Sequence, residues 1–183
     1  MCIRDRLVLM DPATCEELEQ LYTNDKYDLG GLWYSDAQKK LLGVSYEGHK
    51  GKTRYFFDKA TEEMLGRMER HLRGYEIGIG GSNKAEDKYI VYAGGDRTMG
   101  AYYFYDVKSD TMTKLADLAP WIDEQQMAEM TPVTYTSRDG LEIEGYLTLP
   151  VGKTLHNAKN LPVVVTPHGG PWARDSWGFN PEV

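Results

Sequence analysis

The residues with the clearest chemical potential form one short run, His168-Gly169-Gly170-Pro171-Trp172. The run follows an apolar segment, residues 161–166, whose consecutive β-branched side chains predict a strand buried on both faces. A glycine pair directly after such a strand lets the backbone turn sharply and expose its N–H groups. Exposed N–H groups form the oxyanion hole of acyl-transfer enzymes. We therefore predict an oxyanion-hole region at Gly169 and Gly170, with a supporting turn made by His168, Pro171 and Trp172.

A serine nucleophile to accompany such a hole is absent from the sequence. The nucleophile elbow needs Gly-x-Ser-x-Gly between a strand and a helix, and no segment of the chain has that spacing. The segment from Gly43 to Gly48 misses it by one residue, and Gly80-Gly81-Ser82-Asn83 is typical of a turn between strands. Ser176 has no glycine frame, so we expect a surface loop there, with a loop lining a substrate site as the alternative.

None of the histidines or cysteines has partners at a spacing typical of metal ligation. His168 precedes any elbow, so we expect it to orient the turn by hydrogen bonding rather than to act as a catalytic base. The remaining histidines are predicted to be solvated surface residues: His49, His71 and His156. Both cysteines, Cys2 and Cys15, lie near the start without a Cys-x-x-Cys arrangement. We predict no metal site, no disulfide framework and no cofactor.

Composition limits the classes of partner. The 183 residues include 28 acidic and 21 basic side chains, for a net charge of −7, without a basic cluster. Nucleic acid and anionic membranes are therefore excluded as expected partners. The longest apolar run is too short to cross a bilayer. The compartment is left open between cytoplasm and periplasm or secretion, and residues 1–6 fit no later pattern and are interpreted as a non-native leader.

An internal repeat covers the first two thirds of the chain. The segment starting at Leu9 (Leu-Met-Asp-Pro-Ala-Thr) returns at Phe56 and more loosely at Phe104, in steps of 47 and 48 residues. In the second full period, four apolar segments are separated by polar turns, and we predict strands over residues 63–68, 75–79, 89–93 and 101–105. Four antiparallel strands in each period match one blade of a β-propeller.

The conserved position of an aspartate within this repeat has its own interpretation. An aspartate that begins a tight turn can accept backbone N–H bonds, so we expect an Asx-turn after the third strand of each period. About two and a half blades are visible, and we expect the chain to begin inside a propeller. The alternative is a β-sandwich in which similar hairpins recur by chance.

A different pattern starts near residue 120. Residues 120–130 predict a short acidic helical connector, with Asp123 and Gln126 at the spacing of a capping box. Residues 132–137 and 141–150 alternate in polarity on either side of Arg138-Asp139-Gly140, which predicts a β-hairpin.

These residues, taken in order, resemble the prolyl oligopeptidase family of serine peptidases. The resemblance is carried by Arg138-Asp139-Gly140, by Gly145-Tyr146-Leu147, and by the run that begins at His168, all after a propeller-like repeat. The acylaminoacyl-peptidase and dipeptidyl-peptidase branches are the more similar ones. The resemblance implies an all-β propeller fragment over residues 7–119, a linker over 120–131, and the first strands of a truncated α/β-hydrolase domain over 132–183.

What the resemblance implies about function is hydrolysis of short peptides by a Ser-His-Asp triad. By position, Gly170, with Gly169 beside it, would supply one oxyanion N–H group. The triad is expected beyond Val183, so the parent protein is expected to be an enzyme and this chain alone inactive. The alternatives are a non-catalytic propeller binding module with a hydrolase-like tail and an esterase or lipase that uses the same turn. A homo-oligomer is left open by the sequence.

Overall fold

A computed structural model describes residues 6–171 and 173–183, and most of its regular structure is antiparallel β-sheet. The chain divides into two compact units, one ending at Gly66 and one running from Arg67 to Val183. The first unit contains β1 (Arg6–Met10), β2 (Glu17–Thr23), β3 (Leu29–Ser35), β4 (Lys40–Gly48) and β5 (Gly51–Phe56). Helix α1 (Lys59–His71) crosses the boundary between the units. The second unit continues with β6 (Glu76–Ser82), β7 (Lys88–Gly94), β8 (Ala101–Asp106), β9 (Thr111–Asp117), a 3₁₀ turn (Glu124–Gln126), β10 (Met130–Thr136) and β11 (Glu142–Thr148).

The repeated aspartate makes backbone hydrogen bonds at all three of its positions. The Asp11 carboxylate accepts from the N–H groups of Ala13 and Thr14, at 2.7 and 3.2 Å, in the turn after β1. Asp106, at the end of β8, accepts in the same way from the residues two and three positions later, at 3.0 and 3.2 Å. These two Asx-turns confirm the prediction. The third aspartate, Asp58, follows β5 and begins a helix instead.

The predicted strand over residues 63–68 is wrong, because this segment lies inside helix α1. The Asp58 carboxylate accepts from both the backbone N–H and the hydroxyl of Thr61, at 2.9 and 2.7 Å, which satisfies a free donor of the first turn. Buried apolar side chains follow at a helical spacing and do not alternate: Met64, Leu65, Met68 and Leu72. Gly74, with a positive φ of 89°, lies just after the helix end.

The second unit contains the one complete four-stranded sheet of the described residues, in the order β6-β7-β8-β9. Each pair is antiparallel, with Tyr89 opposite Tyr105 and Ala93 opposite Ala101. Alternate side chains of β7 and β8 are buried on one face, among them Val91 and Tyr105, both 0% exposed. The predicted strands over 75–79, 89–93 and 101–105 are confirmed as β6, β7 and β8. The fourth strand is β9, a segment that the sequence interpretation missed.

The hairpin predicted after residue 131 is confirmed. Strands β10 and β11 pair in continuous register from Met130 opposite Thr148 to Thr136 opposite Glu142. The Ser137 N–H donates to the Leu141 carbonyl at 2.8 Å. Gly140 has a φ of 89°, which the left-handed last position of such a three-residue loop requires. The acidic connector before the hairpin is helical only over Glu124–Gln126, where the Asp123 side chain accepts from the Gln125 N–H.

The predicted buried strand over residues 161–166 is absent. These residues adopt no regular structure, and Val163, Val164 and Val165 are 83%, 86% and 80% exposed. A strand buried on both faces needs a hydrogen-bonded neighbour on each side and helices above and below. No described segment provides them, since every described strand pairs within one of four small antiparallel sheets.

Asp58 provides a test of how helix α1 is held. We expect Asp58→Ala to lower the free energy of unfolding by about 1 kcal/mol, because the first helical turn loses its cap. Asp58→Asn is expected to cost less, since asparagine also caps well. Urea unfolding of the purified chain measures both changes, with Asp36→Ala as the control because the Asp36 side chain is 92% exposed. Equal stability of wild type and Asp58→Ala would contradict the assignment.

The same carboxyl predicts a pH dependence. Hydrogen bonding to Lys40 at 2.5 Å, and then to Thr61, lowers the pKa of Asp58 from 3.8 to about 2. Folding therefore favours the ionised carboxylate of Asp58. The stability that this carboxylate contributes to the folded chain is complete above the pKa of the unfolded chain, and it is lost as the pH falls towards the lower pKa of the folded chain. The stability difference between wild type and Asp58→Asn should therefore shrink as the pH is lowered from about 4 to about 2.

Candidate functional site

The predicted oxyanion turn lies on the surface of the second unit. Gly169, Gly170 and Pro171 are all exposed, and the peptide bond between Gly170 and Pro171 is cis. A Cβ atom built on Gly169 would meet no described atom within 4 Å, so the space beside this backbone is open. Open space next to exposed N–H groups is what an approaching carbonyl oxygen would need. Trp172, the last residue of the predicted supporting turn, lies outside the described residues.

The His168 side chain contacts the backbone of the next residue, Gly169. Its Nδ1 atom lies 2.7 Å from the carbonyl oxygen of Gly169. Because a carbonyl only accepts hydrogen bonds, Nδ1 must carry the proton in this contact. The imidazole therefore binds the turn that it precedes, and its partner here is neither a serine hydroxyl nor a carboxylate.

The segment that follows the turn is attached to the start of β10 by Trp177. The indole Nε1–H donates to the Met130 carbonyl at 2.7 Å. The far end of the ring lies 3.9 Å from the position of a Cβ on Gly95, so a glycine there leaves room for the ring. Ser176, next to Trp177, is exposed, as expected for a surface loop.

Asp96 binds the other backbone group of Met130, its N–H. The Asp96 carboxylate accepts the Met130 N–H at 2.8 Å. Met130 is only 8% exposed, so its N–H would otherwise be buried without a partner. Asp96 thus joins the β7–β8 connection to the hairpin, and Trp177 joins the hairpin to the segment after the turn. The sequence assigned no role to Asp96 or Trp177; the signal for Asp96 was a Gly94-Gly95-Asp96 turn after a predicted strand.

A second link joins the hairpin to the segment after the turn. The Arg174 guanidinium lies 3.9 Å from the Glu144 carboxylate on β11, with side-chain exposures of 43% and 23%. An ion pair this exposed contributes little to stability, typically under about 1 kcal/mol.

An ion pair between His71 and Asp110 joins the end of helix α1 to the turn between β8 and β9. His71, at the end of α1, is exposed as predicted, and its Nε2 lies 3.2 Å from Asp110 Oδ1. The same oxygen accepts the Tyr105 hydroxyl at 2.6 Å. Burial, followed by this bond to Asp110, raises the pKa of Tyr105 to about 12, which makes the hydroxyl a poor nucleophile near neutral pH. The hydroxyl bonds the aspartate and not the imidazole, so these three residues do not have the Ser-His-Asp connectivity of a triad.

Within residues 6–171 and 173–183, no group of three or more His, Cys, Asp or Glu side chains could hold a metal ion. No described helix is long and apolar enough to span a membrane.

Comparison with known proteins gives two relatives with similar names. Dipeptidyl aminopeptidase BIII from Pseudoxanthomonas mexicana is 30% identical over 156 residues, which is 83% of this chain and 22% of that protein. Dipeptidyl peptidase family member 6 from Caenorhabditis elegans is 21% identical over 186 residues, 91% of this chain and 25% of that protein. The chain therefore spans about a fifth to a quarter of the length of these relatives. No protein-family model matches the chain.

The Asp96 contact yields a testable expectation. Asp96→Ala should lower the free energy of unfolding by about 1–3 kcal/mol, because it leaves the buried Met130 N–H without an acceptor. Asp96→Asn should retain most of the stability, since its amide oxygen can still accept. Urea unfolding followed by tryptophan fluorescence measures both, with Asp175→Ala as the exposed control. If Asp96→Ala and Asp175→Ala have the same small effect, the assigned role of Asp96 is wrong.

Proposed function

We propose that this chain is part of a serine peptidase of the prolyl oligopeptidase family, which hydrolyses short peptides. The observation that carries the proposal is the 30% identity to a dipeptidyl aminopeptidase over 83% of the chain. A matched stretch of that length necessarily includes both the four-stranded sheet and the β10–β11 hairpin. The similarity therefore extends across both parts of the predicted architecture. The names of both relatives favour release of dipeptides as the reaction.

In this proposal, the strands up to β9 belong to blades of a β-propeller. The sequential antiparallel order β6-β7-β8-β9 is the order of strands in a blade. Strands β4 and β7 begin one repeat of 48 residues apart, at Lys40 and Lys88, and each is the second strand of its sheet. Asp58 and Asp106 each follow or end a third strand. The propeller would restrict the active site to short, unfolded substrates.

The hairpin and the segment after it belong, in the same proposal, to an α/β-hydrolase domain. The valine run from Val163 to Val165 has the composition of a central strand, yet it is exposed in the described chain. Its apolar surface would be buried in a sheet completed by the rest of a longer protein. The Gly169-Gly170 turn would then stand at the end of that strand, where an oxyanion hole is built.

The chemistry proposed for the parent protein is acyl transfer. A serine oxygen attacks the scissile carbonyl carbon while a histidine takes the serine proton, and the C–N bond then breaks as the histidine protonates the leaving amine. Water hydrolyses the resulting ester and regenerates the serine. The Gly170 N–H would bind the oxyanion during both steps. The serine, histidine and aspartate would come from beyond Val183, so the 183-residue chain itself would be inactive.

Labelling with a fluorophosphonate probe tests the last point. The purified 183-residue chain should remain unlabelled, whereas the longer gene product that includes a Gly-x-Ser-x-Gly elbow should be labelled at its serine. Heat-denatured longer protein serves as the negative control. Labelling of the short chain at any serine, or no labelling of the folded longer protein, would overturn the proposal.

The oxyanion role of Gly170 can be tested at the same position in the longer protein. Gly170→Pro removes the backbone N–H and should lower kcat for a chromogenic dipeptide substrate by about 100-fold or more. Gly170→Ala keeps the N–H and is the matched control, with a smaller loss expected. Circular dichroism confirms that both variants fold. Equal kcat values for the two variants would exclude a donor at this position.

A further inference from the structure

The second unit contains a cleft of about 450 Å³ that the proposed chemistry does not use. A volume of this size falls within the range of small-molecule binding sites. The lining comes from Arg97 in the β7–β8 connection, from five of the residues 125–131, and from nine of the residues 147–156. The predicted oxyanion turn contributes nothing to this lining, so the cleft is a separate feature of the surface.

One part of the lining is held in place by a hydrogen-bonded chain. Glu124 accepts the Tyr75 hydroxyl at 2.8 Å through Oε2, and its Oε1 lies 3.5 Å from Arg97 Nη2. The bond to Glu124, followed by burial, raises the pKa of Tyr75, so the hydroxyl keeps its proton and remains a donor. Glu124 itself begins a 3₁₀ turn capped by Asp123. Arg97 is thus fixed at one side of its guanidinium, and its other donors are not used by this pair.

The loop after β11 is ordered by its own backbone contacts. The Lys153 N–H donates to the Pro150 carbonyl at 2.9 Å. The Thr154 N–H donates to the Asn157 side chain at 2.7 Å. These bonds place Lys153 and His156 in the lining of the cleft. A turn that is already formed loses less conformational entropy when a ligand binds.

The lining combines charges of both signs with apolar side chains. The Lys153 ammonium, the Glu129 carboxylate and the His156 ring make no ion pair with another described residue. The larger apolar side chains of the lining are the following: Met127, Leu147, Leu149, Val151 and Leu155. Because Arg97 is already paired with Glu124, Lys153 and Glu129 are the unpaired charges of the lining, and the cleft offers one contact of each sign beside apolar side chains.

We propose that this cleft binds a free short peptide with an apolar side chain. Lys153 and Arg97 would bind the terminal carboxylate, Glu129 the terminal ammonium, and the leucines and valine the side chain. A simple anion such as a fatty acid fits less well, because Glu129 would repel it. The proposal concerns binding without turnover, so its failure would leave the peptidase proposal untouched.

Titration calorimetry with the dipeptide Leu-Leu, at neutral pH and low salt, tests this site on the 183-residue chain. The C-terminal amide of Leu-Leu and its N-acetyl derivative should each bind about tenfold more weakly, because each loses one charge-assisted contact. Lys153→Ala should weaken binding of Leu-Leu by about tenfold and leave the affinity for the amide unchanged. Glu129→Gln should weaken binding of Leu-Leu by about tenfold and leave the affinity for the N-acetyl derivative unchanged.

Lys159→Ala is the matched control, since Lys159 is an exposed lysine of the same loop outside the lining. It should leave all affinities unchanged, and thermal melting verifies that every variant folds. The proposal is overturned if the amide or the N-acetyl derivative binds as tightly as Leu-Leu. It is equally overturned if Lys153→Ala and Lys159→Ala have the same effect, or if Leu-Leu does not bind.

Discussion

Local antiparallel pairing is the constraint on which the described structure depends. Each described strand hydrogen-bonds only to strands that neighbour it in sequence, as in the orders β3-β4-β5 and β6-β7-β8-β9. Register is therefore set by the short turns between consecutive strands. Side chains that satisfy turn N–H groups, such as Asp11 and Asp106, set the geometry from which each next strand starts.

This constraint also explains which parts of the fold could be predicted from the sequence. Strands β7 and β8 and the β10–β11 hairpin were predictable because alternation and turn residues are local signals. Helix α1 was missed because the 48-residue repeat suggested a strand there, although Met64, Met68 and Leu72 follow a helical spacing. The valine run was expected to be buried, and its exposure shows that composition alone cannot supply the partners that a central strand needs.

The candidate site likewise has one part that the sequence predicted and another that it could not predict. Residue types alone made the Gly169-Gly170 turn a candidate, because a glycine pair shortly after a β-branched run can expose backbone N–H groups. The contacts that position its surroundings could not be found in this way. Met130 bonds to Asp96, 34 residues earlier, and to Trp177, 47 residues later. Such long-range pairs have no periodicity, so only three-dimensional structure or an alignment can identify them.

The exposed valine run has a consequence for self-association. Extended β-branched segments with low charge are typical of cross-β assembly, which generally requires about six or seven consecutive residues. Here Pro162 and Pro167 flank the run, and neither can donate a backbone hydrogen bond. Only the residues between these prolines offer N–H groups to another chain. The two prolines therefore act as gatekeepers, because the four residues between them are fewer than cross-β assembly generally requires.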